Sequence, residues 1–134
     1  MRILIVDDCG DFRSLLVNFL SPLGRCDIAE DGQKAVQAVQ MACDENDLYD
    51  LILLDILMPK MDGHEALKAI RKIENDRFHE HQDGAKILMV TAMSHVREVM
   101  RAFRGECDGY LVKPFDKQAL YEQLEKLDIE ISVM

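Results

Sequence analysis

Three aspartates follow apolar runs at the points where buried strands would end. Asp7 and Asp8 come directly after residues 3–6, and Asp55 comes directly after residues 51–54. A carboxylate at the edge of an apolar sheet is costly unless a cation pairs with it. Mg²⁺ usually binds one or two carboxylates together with water and phosphate oxygens. The three side chains therefore predict a Mg²⁺ site, provided that the fold brings the two strand ends together.

A threonine and a lysine end two further predicted strands. Thr91 closes one apolar run and Lys113 closes the next. A single lysine cannot neutralise three carboxylates, which also favours a divalent cation at this rim. Carboxylates accept phosphoryl groups to form aspartyl phosphates, so Asp55 is a candidate nucleophile. Mg²⁺, the lysine and the threonine hydroxyl would then stabilise the negative charge on the transferred group.

The elements that must position these residues alternate regularly between strand and helix. Strands are predicted at residues 3–6, 25–30, 51–54, 86–92 and 109–115, and helices at about 12–23, 32–43, 63–73, 94–103 and 116–127. A polar loop is expected at residues 74–84. This alternation predicts an α/β fold, a doubly wound (βα)5 unit with a five-stranded parallel sheet. We adopt for it the flavodoxin-like strand order 2-1-3-4-5 known from such folds. That order places the alternating second strand at the edge and a ligand crevice beyond strands one and three.

Composition narrows the possible partners and locations. The chain has 134 residues and a net charge of −9, from 16 basic and 25 acidic residues. Such an acidic chain argues against direct binding to nucleic acid or to an anionic membrane. No apolar run approaches the roughly 20 residues needed for membrane insertion. The four cysteines form no C-x-x-C pair, and we interpret them as reduced thiols in a cytoplasmic protein.

Four short motifs occur in order on the expected elements. They are "VDD" at residues 6–8, "LLDILMPKMDG" at 53–63, "VTA" at 90–92 and "YLVKPF" at 110–115. With these motifs the chain resembles the response regulator receiver domains of two-component signalling, including the single-domain chemotaxis regulators. The resemblance covers residues 2–127. It implies residues 1–127 as one receiver domain and residues 128–134 as a C-terminal tail, with no effector domain.

The resemblance implies roles for the acidic residues. Asp55 would be the phosphoacceptor. Asp8 would bind Mg²⁺ directly, and Asp7 would assist, often through water. The backbone carbonyl of Leu57 would be a further metal ligand.

It also implies roles for the residues on the last two strands. Thr91 and the Ala92 amide would bind the phosphoryl oxygens, and Lys113 would pair with the phosphoryl group. Tyr110 would move between exposed and buried positions together with Thr91 as a switch. The bond to Pro114 is usually cis in the family.

The function implied is a signalling switch and not an enzyme acting on a separate substrate. A sensor histidine kinase or phosphotransfer protein would donate the phosphoryl group. Phosphorylation would then remodel the face formed by the predicted helix at 94–103, the fifth strand and the final helix. Activation could control a downstream protein target or produce a homodimer, and the tail could be an edge strand, a dimer contact or a disordered end. The sequence does not choose among these.

Three alternatives are weighed against this interpretation. A receiver-like docking module that works without phosphorylation would not need the acid cluster. A flavin mononucleotide site would need a phosphate cradle after the first strand, where "DDCGDF" places three acids. An aspartyl-phosphate hydrolase would carry a second acid two residues after the nucleophile, where Leu57 stands. Leu57 and Met93 offer no group to orient water, so self-dephosphorylation is expected to be slow.

Overall fold

Five parallel strands and four helices make up the described part of the chain. The computed structural model describes residues 1–56, 58, 61–77, 84–92 and 107–129. The strands are β1 Arg2–Val6, β2 Arg25–Ala29, β3 Leu51–Asp55, β4 Lys86–Ala92 and β5 Gly109–Lys113. The helices are α1 Gly10–Leu20, α2 Gly32–Asp44, α3 Gly63–Arg77 and α4 Lys117–Lys126. The helix predicted at 94–103 lies outside the described residues.

The sheet has the order β2-β1-β3-β4-β5. All four neighbouring pairs are parallel, and this confirms the predicted α/β fold and strand order. The alternating second strand lies at the sheet edge as predicted. Its Ile28 is 57% exposed, whereas the central β3 is buried along its whole length. Solid apolar runs thus mark the strands that are covered on both faces.

Alternate strand residues point into two separate cores. One core joins the sheet to α2 and α3, and its strand residues include Leu4, Val6, Ile52, Leu54, Ile87 and Met89. The other joins the sheet to α1 and α4 through Ile3, Ile5, Leu51, Leu53, Leu88 and Val90. Helices therefore cover both faces, and only the two ends of the sheet are left for polar groups.

Aspartate side chains cap three of the four helices at their N-termini. Asp31 accepts a hydrogen bond from the Lys34 N–H at 2.9 Å. Asp62 accepts the Glu65 N–H at the start of α3, and Asp116 accepts the Ala119 N–H at the start of α4. Each cap satisfies one of the N–H groups that the first helical turn leaves without a partner. The first helix differs, because its N-cap residue Cys9 makes no side-chain cap.

Several predicted boundaries were wrong. The polar loop expected from residue 74 begins later, because α3 continues to Arg77. Its extra turn is stabilised by Glu74, whose carboxylate is buried and accepts the Ala85 N–H at 2.8 Å. Strand β3 extends by one residue to include Asp55, and β5 ends at Lys113 and not at 115. The first helix ends at Leu20, three residues earlier than predicted.

Candidate functional site

The aspartates meet at the carboxyl edge of the sheet, where β1 and β3 lie side by side. The register pairs Val6 with Leu54, so the next residue on each strand carries a carboxylate. Asp7, Asp8 and Asp55 each offer an oxygen, and these oxygens all lie within 4.8 Å of one another. Asp7 and Asp55 are buried and Asp8 is exposed. The predicted convergence of the two strand ends is therefore present.

Asp7 is held by backbone contacts on both sides. Its N–H donates to the Ala29 carbonyl at 3.1 Å, which ties the end of β1 to β2. Its Oδ1 accepts the Cys9 N–H at 2.9 Å, and its own carbonyl accepts a hydrogen bond from Arg13 at 2.6 Å. These contacts fix the carboxylate as the chain turns from β1 into α1. Its second oxygen, Oδ2, is directed at Lys113.

The close approach of α3 to β3 accounts for the glycine, Gly63, at the end of the "MDG" motif. The Gly63 N–H donates to the Ile56 carbonyl at 2.8 Å, which brings the start of α3 against the end of β3. A Cβ at this position would collide with the backbone of Asp55 and Ile56. Only glycine permits this approach without moving the strand end. The glycine thereby helps to place the buried Asp55 carboxylate at the rim.

Lys113 supplies a cation to this acidic cluster. Its Nζ donates to Asp7 Oδ2 at 3.0 Å and lies 3.6 Å from Asp55 Oδ2. Burial alone would lower the pKa of Lys113, but the hydrogen bond to Asp7 and the charge of Asp55 outweigh it, so the pKa is raised above its ordinary value. The ammonium therefore stays charged and bridges two of the three carboxylates.

Thr91 and Ala92 complete a small cleft above the carboxylates. The cleft has a volume of about 230 Å³ and is lined by Asp8, Asp55, Thr91, Ala92 and Lys113. Thr91 is buried, and its hydroxyl donates to the Ala92 carbonyl at 3.0 Å. The register of β4 and β5 pairs Ala92 with Lys113, which places both residues on one side of the cleft.

The remaining predicted residues lie close to this cleft or outside the described part. Tyr110 is partly buried on β5 and packs against the core shared with α2 and α3. The Lys113–Pro114 peptide bond is cis, in agreement with the expectation from the resemblance. Leu57, predicted as a carbonyl ligand, and Met93 both lie outside the described residues. Their predicted roles remain predictions.

One residue in contact with the site was missed by the sequence analysis. The Lys113 ammonium lies 4.3 Å from the centroid of the Phe12 ring. Phe12 occupies the first turn of α1, and its place in the apolar stripe suggested only a role in the core. Its position just after the acidic pair was the available signal, but no rule about spacing predicts a contact with a strand 100 residues later.

The donor set fits a hard divalent cation. Three carboxylates supply oxygen atoms that lie close enough together to bind one metal ion. The described cluster contains no soft sulfur or imidazole ligand. The adjoining cleft leaves room for further oxygen ligands beside Asp8 and Asp55. Asp7, Asp8 and Asp55 could therefore hold a metal ion.

Comparisons with known proteins agree with the fold. The model of the family described as "Response regulator receiver domain" matches residues 3–125. The chain is 35% identical to the chemotaxis protein CheY of Pseudomonas aeruginosa over 127 residues, which is 95% of each protein. The chain therefore belongs to the response regulator receiver domain family, as the motifs indicated.

Two solved structures are similar over nearly the whole chain. The response regulator TrrA from Thermotoga maritima, in complex with Mg²⁺ and BeF, is 36% identical, with a TM-score of 0.72 over 94% of this chain and 97% of that one. The receiver domain of sensor histidine kinase PA1611 from Pseudomonas aeruginosa holds a magnesium ion in its active site cleft. It is 28% identical, with a TM-score of 0.74 over 93% and 94% of the two chains.

None of the described helices is both long enough and apolar enough to cross a bilayer.

Proposed function

We propose that this chain is a phosphorylation-controlled signalling switch whose phosphoacceptor is Asp55. The observation that carries the proposal is the convergence of three carboxylates, bridged by the Lys113 ammonium, at the mouth of a cleft. Asp55 is the buried member that also lines this cleft. Asp7 lies deeper and is already engaged by Lys113 and the Cys9 N–H.

The transfer step follows from this arrangement. An Asp55 carboxylate oxygen would form a bond to phosphorus while the bond from phosphorus to the donor's leaving atom breaks, and the electron pair of that bond would leave with the donor. Lys113, 3.6 Å from Asp55, would pair with a phosphoryl oxygen. Mg²⁺ held by Asp7, Asp8, Asp55 and the Leu57 carbonyl would neutralise the negative charge that gathers there.

Thr91 and Tyr110 would convert phosphorylation into a change of surface. The Thr91 hydroxyl donates to the Ala92 carbonyl in this structure. A phosphoryl group in the cleft would offer a more strongly charged acceptor, both to that hydroxyl and to the Ala92 N–H. Tyr110 lies on the neighbouring strand, in register with Met89 two residues before Thr91. Movement of Thr91 would therefore change the position of Tyr110 and the surface formed by β5 and α4.

The partners proposed are a histidine kinase or phosphotransfer protein as donor and a separate protein target as receiver of the signal. The similarity to CheY-like regulators over 95% of both chains supports this proposal. Residues 1–127 would form the receiver and residues 128–134 a tail. The tail beyond Ile129 lies outside the described residues.

Intact-protein mass spectrometry after incubation with acetyl phosphate tests the proposal. We expect a single phosphoryl adduct on the wild type with Mg²⁺, and none without Mg²⁺ or in Asp55→Asn. Asp11→Asn is the matched control, because this exposed aspartate lies in the first turn of α1 and outside the cluster. It should be labelled like the wild type.

Two results would count against the switch. An adduct that persists in Asp55→Asn would show that another residue accepts the group. No adduct on a folded, Mg²⁺-binding wild type would favour the alternative of a docking module that works without phosphorylation.

A further inference from the structure

The Lys113 ammonium contacts groups of two different kinds. Asp7 Oδ2 and Asp55 Oδ2 lie 3.0 and 3.6 Å from Nζ. The centroid of the Phe12 ring, with its face towards the ammonium, lies 4.3 Å from Nζ. A lysine side chain has four rotatable bonds, so its ammonium is placed only where its surroundings confine it. The carboxylates attract the charge, and the ring limits where the attracted charge can lie.

A phenyl ring can confine the Lys113 ammonium for a chemical reason. The negative face of its π-system attracts a cation without accepting a strong, directional hydrogen bond. The N–H donors of Lys113 therefore stay available for oxygen acceptors in the cleft. An aliphatic side chain of similar volume would fill the space but would not attract the charge.

The Phe12 ring is itself held in place. It packs edge to face against Phe115, with centroids 5.5 Å apart and an interplanar angle of 82°. Phe115 follows Lys113 by two residues, and both rings are partly buried against the core shared with α1 and α4. The start of α1 and the segment after β5 thus contribute an aromatic pair, Phe12 and Phe115, and the Phe12 ring lies next to the Lys113 ammonium.

We propose that Phe12 is a positioning residue that holds the Lys113 ammonium at the place where it meets the incoming phosphoryl group, with Phe115 fixing the ring. The inference rests on the proposed function of Asp55 as phosphoacceptor. It extends that function to a residue that does not itself line the cleft and acts on it through Lys113.

The test compares two substitutions at one position. Phe12→Tyr keeps the aromatic face, whereas Phe12→Leu keeps apolar volume and removes it. We expect Phe12→Leu to take the phosphoryl group from acetyl phosphate about three- to tenfold more slowly at saturating Mg²⁺, and Phe12→Tyr to restore the rate. Phe19→Leu is the matched control, because Phe19 packs in the same core from α1 and makes no described ring contact with Lys113. It should keep the wild-type rate.

A spectroscopic readout separates positioning from packing. Protons over an aromatic face are shifted to lower frequency, so the Lys113 ε-methylene signals should be shifted in NMR spectra of the lysine-labelled wild type without Mg²⁺ or phosphodonor. Lys113→Arg assigns these signals. The shift should persist in Phe12→Tyr and Phe19→Leu and disappear in Phe12→Leu. If Phe12→Leu does not fold, Phe12→Met takes its place.

The outcomes decide the inference either way. An unshifted Lys113 in the wild type would overturn it, as would a wild-type rate in Phe12→Leu after the shift is lost. Equal slowing in Phe12→Tyr and Phe12→Leu would assign the effect to packing and also overturn it. If the wild type took no phosphoryl group, the proposed function and the rate effect would both fall, while the NMR signals would still decide where the ammonium lies.

Discussion

The two ends of the sheet carry charged groups in different proportions. At the carboxyl edge, three carboxylates lie within 4.8 Å of one another and a single ammonium bridges two of them. At the amino edge, Arg71 lies between two carboxylates, with Glu74 Oε1 2.7 Å and Asp108 Oδ2 2.9 Å from its guanidinium. Both of those carboxylates also accept backbone N–H groups, from Ala85 and Ile87.

A second cluster at the amino edge follows the same pattern. Asp27 accepts hydrogen bonds from Arg2 and from the Tyr49 hydroxyl, the latter at 2.8 Å. The Arg2 guanidinium also lies 4.4 Å from the Tyr49 ring centroid and 3.3 Å from an Asp47 oxygen. These groups join the start of β1 to β2 and to the segment before β3.

This difference indicates how a functional cluster of charged residues differs from a structural one. At the amino edge, opposite charges and backbone N–H groups satisfy each carboxylate, so the protein gains stability by keeping the cluster as it is. At the carboxyl edge, like charges are held close by the fold, and among the described residues the Lys113 ammonium bridges two of the three carboxylates. Such an arrangement is a reason to expect a ligand that brings positive charge.

The largest effect that would test this comparison is expected at Glu74. Glu74→Ala removes one of the two carboxylates that pair with Arg71 and leaves the Ala85 N–H without the Glu74 carboxylate, both in a largely buried setting. We expect the free energy of unfolding to fall by about 3 kcal/mol, measured by urea denaturation. Asp76→Ala, an exposed position on the same helix, is the control and should change it by less than about 0.5 kcal/mol. A loss at Glu74 no larger than the control's would contradict the structural role of the amino edge.

A slightly smaller effect on the free energy of unfolding is expected from the pH dependence of the cluster around Tyr49. Burial, together with the hydrogen bond to Asp27, raises the pKa of Tyr49 to about 12 from an ordinary value of 10.0. The unfolded chain loses this proton near pH 10 and the folded chain only near pH 12. The stabilisation is therefore complete below pH 10 and is lost as the pH rises towards 12, by about 2 to 3 kcal/mol.

Comparison with Tyr49→Phe isolates this contribution. The variant has no hydroxyl to titrate, so its free energy of unfolding should fall less steeply between pH 10 and pH 12 than that of the wild type. Urea denaturation at a series of pH values in this interval measures the difference. Parallel curves for the two proteins would mean that the Tyr49 proton is not held by the amino-edge cluster.

The fold and the carboxyl-edge residues could be predicted from sequence because their signals are local. A strand buried on both faces must be apolar along its length, and residues 51–54 show this directly. An aspartate at the end of such a run is visible without knowing any partner. Once the strand order was inferred, the carboxyl ends had to meet, and Asp7, Asp8 and Asp55 were placed together before the structure was known.

The amino-edge clusters and the Phe12 contact could not be predicted in the same way. Arg71 and Glu74 look like an ordinary exposed pair on a helix. Their contacts with Asp108 and Ala85, which directly precede β5 and β4, show that Glu74 is buried and Arg71 partly buried. The end of α3 was predicted too early for the same reason, because the charged residue Glu74 was assigned to a polar loop at 74–84. Phe12 carried a valid core signal, which concealed its second contact with Lys113.

The smallest expected effect on the free energy of unfolding is an increase. It tests the comparison between the two ends of the sheet most directly. Asp55→Asn, at a carboxylate about as buried as Glu74, removes the repulsion from Asp7 and Asp8 and the cost of burying a charge, and it weakens the attraction to Lys113 at 3.6 Å. We expect the free energy of unfolding to rise by about 1 kcal/mol without divalent cations, measured by urea denaturation.

Glu74→Ala serves as the opposing reference for that measurement, since it should destabilise under the same conditions. A stabilised Asp55→Asn beside a destabilised Glu74→Ala would mean that burial of a carboxylate does not by itself determine its contribution. The balance of charges around it would do so. If both substitutions destabilised the protein to a similar extent, the Lys113 contact would outweigh the repulsion, and the carboxyl edge would be a compensated cluster like the amino edge.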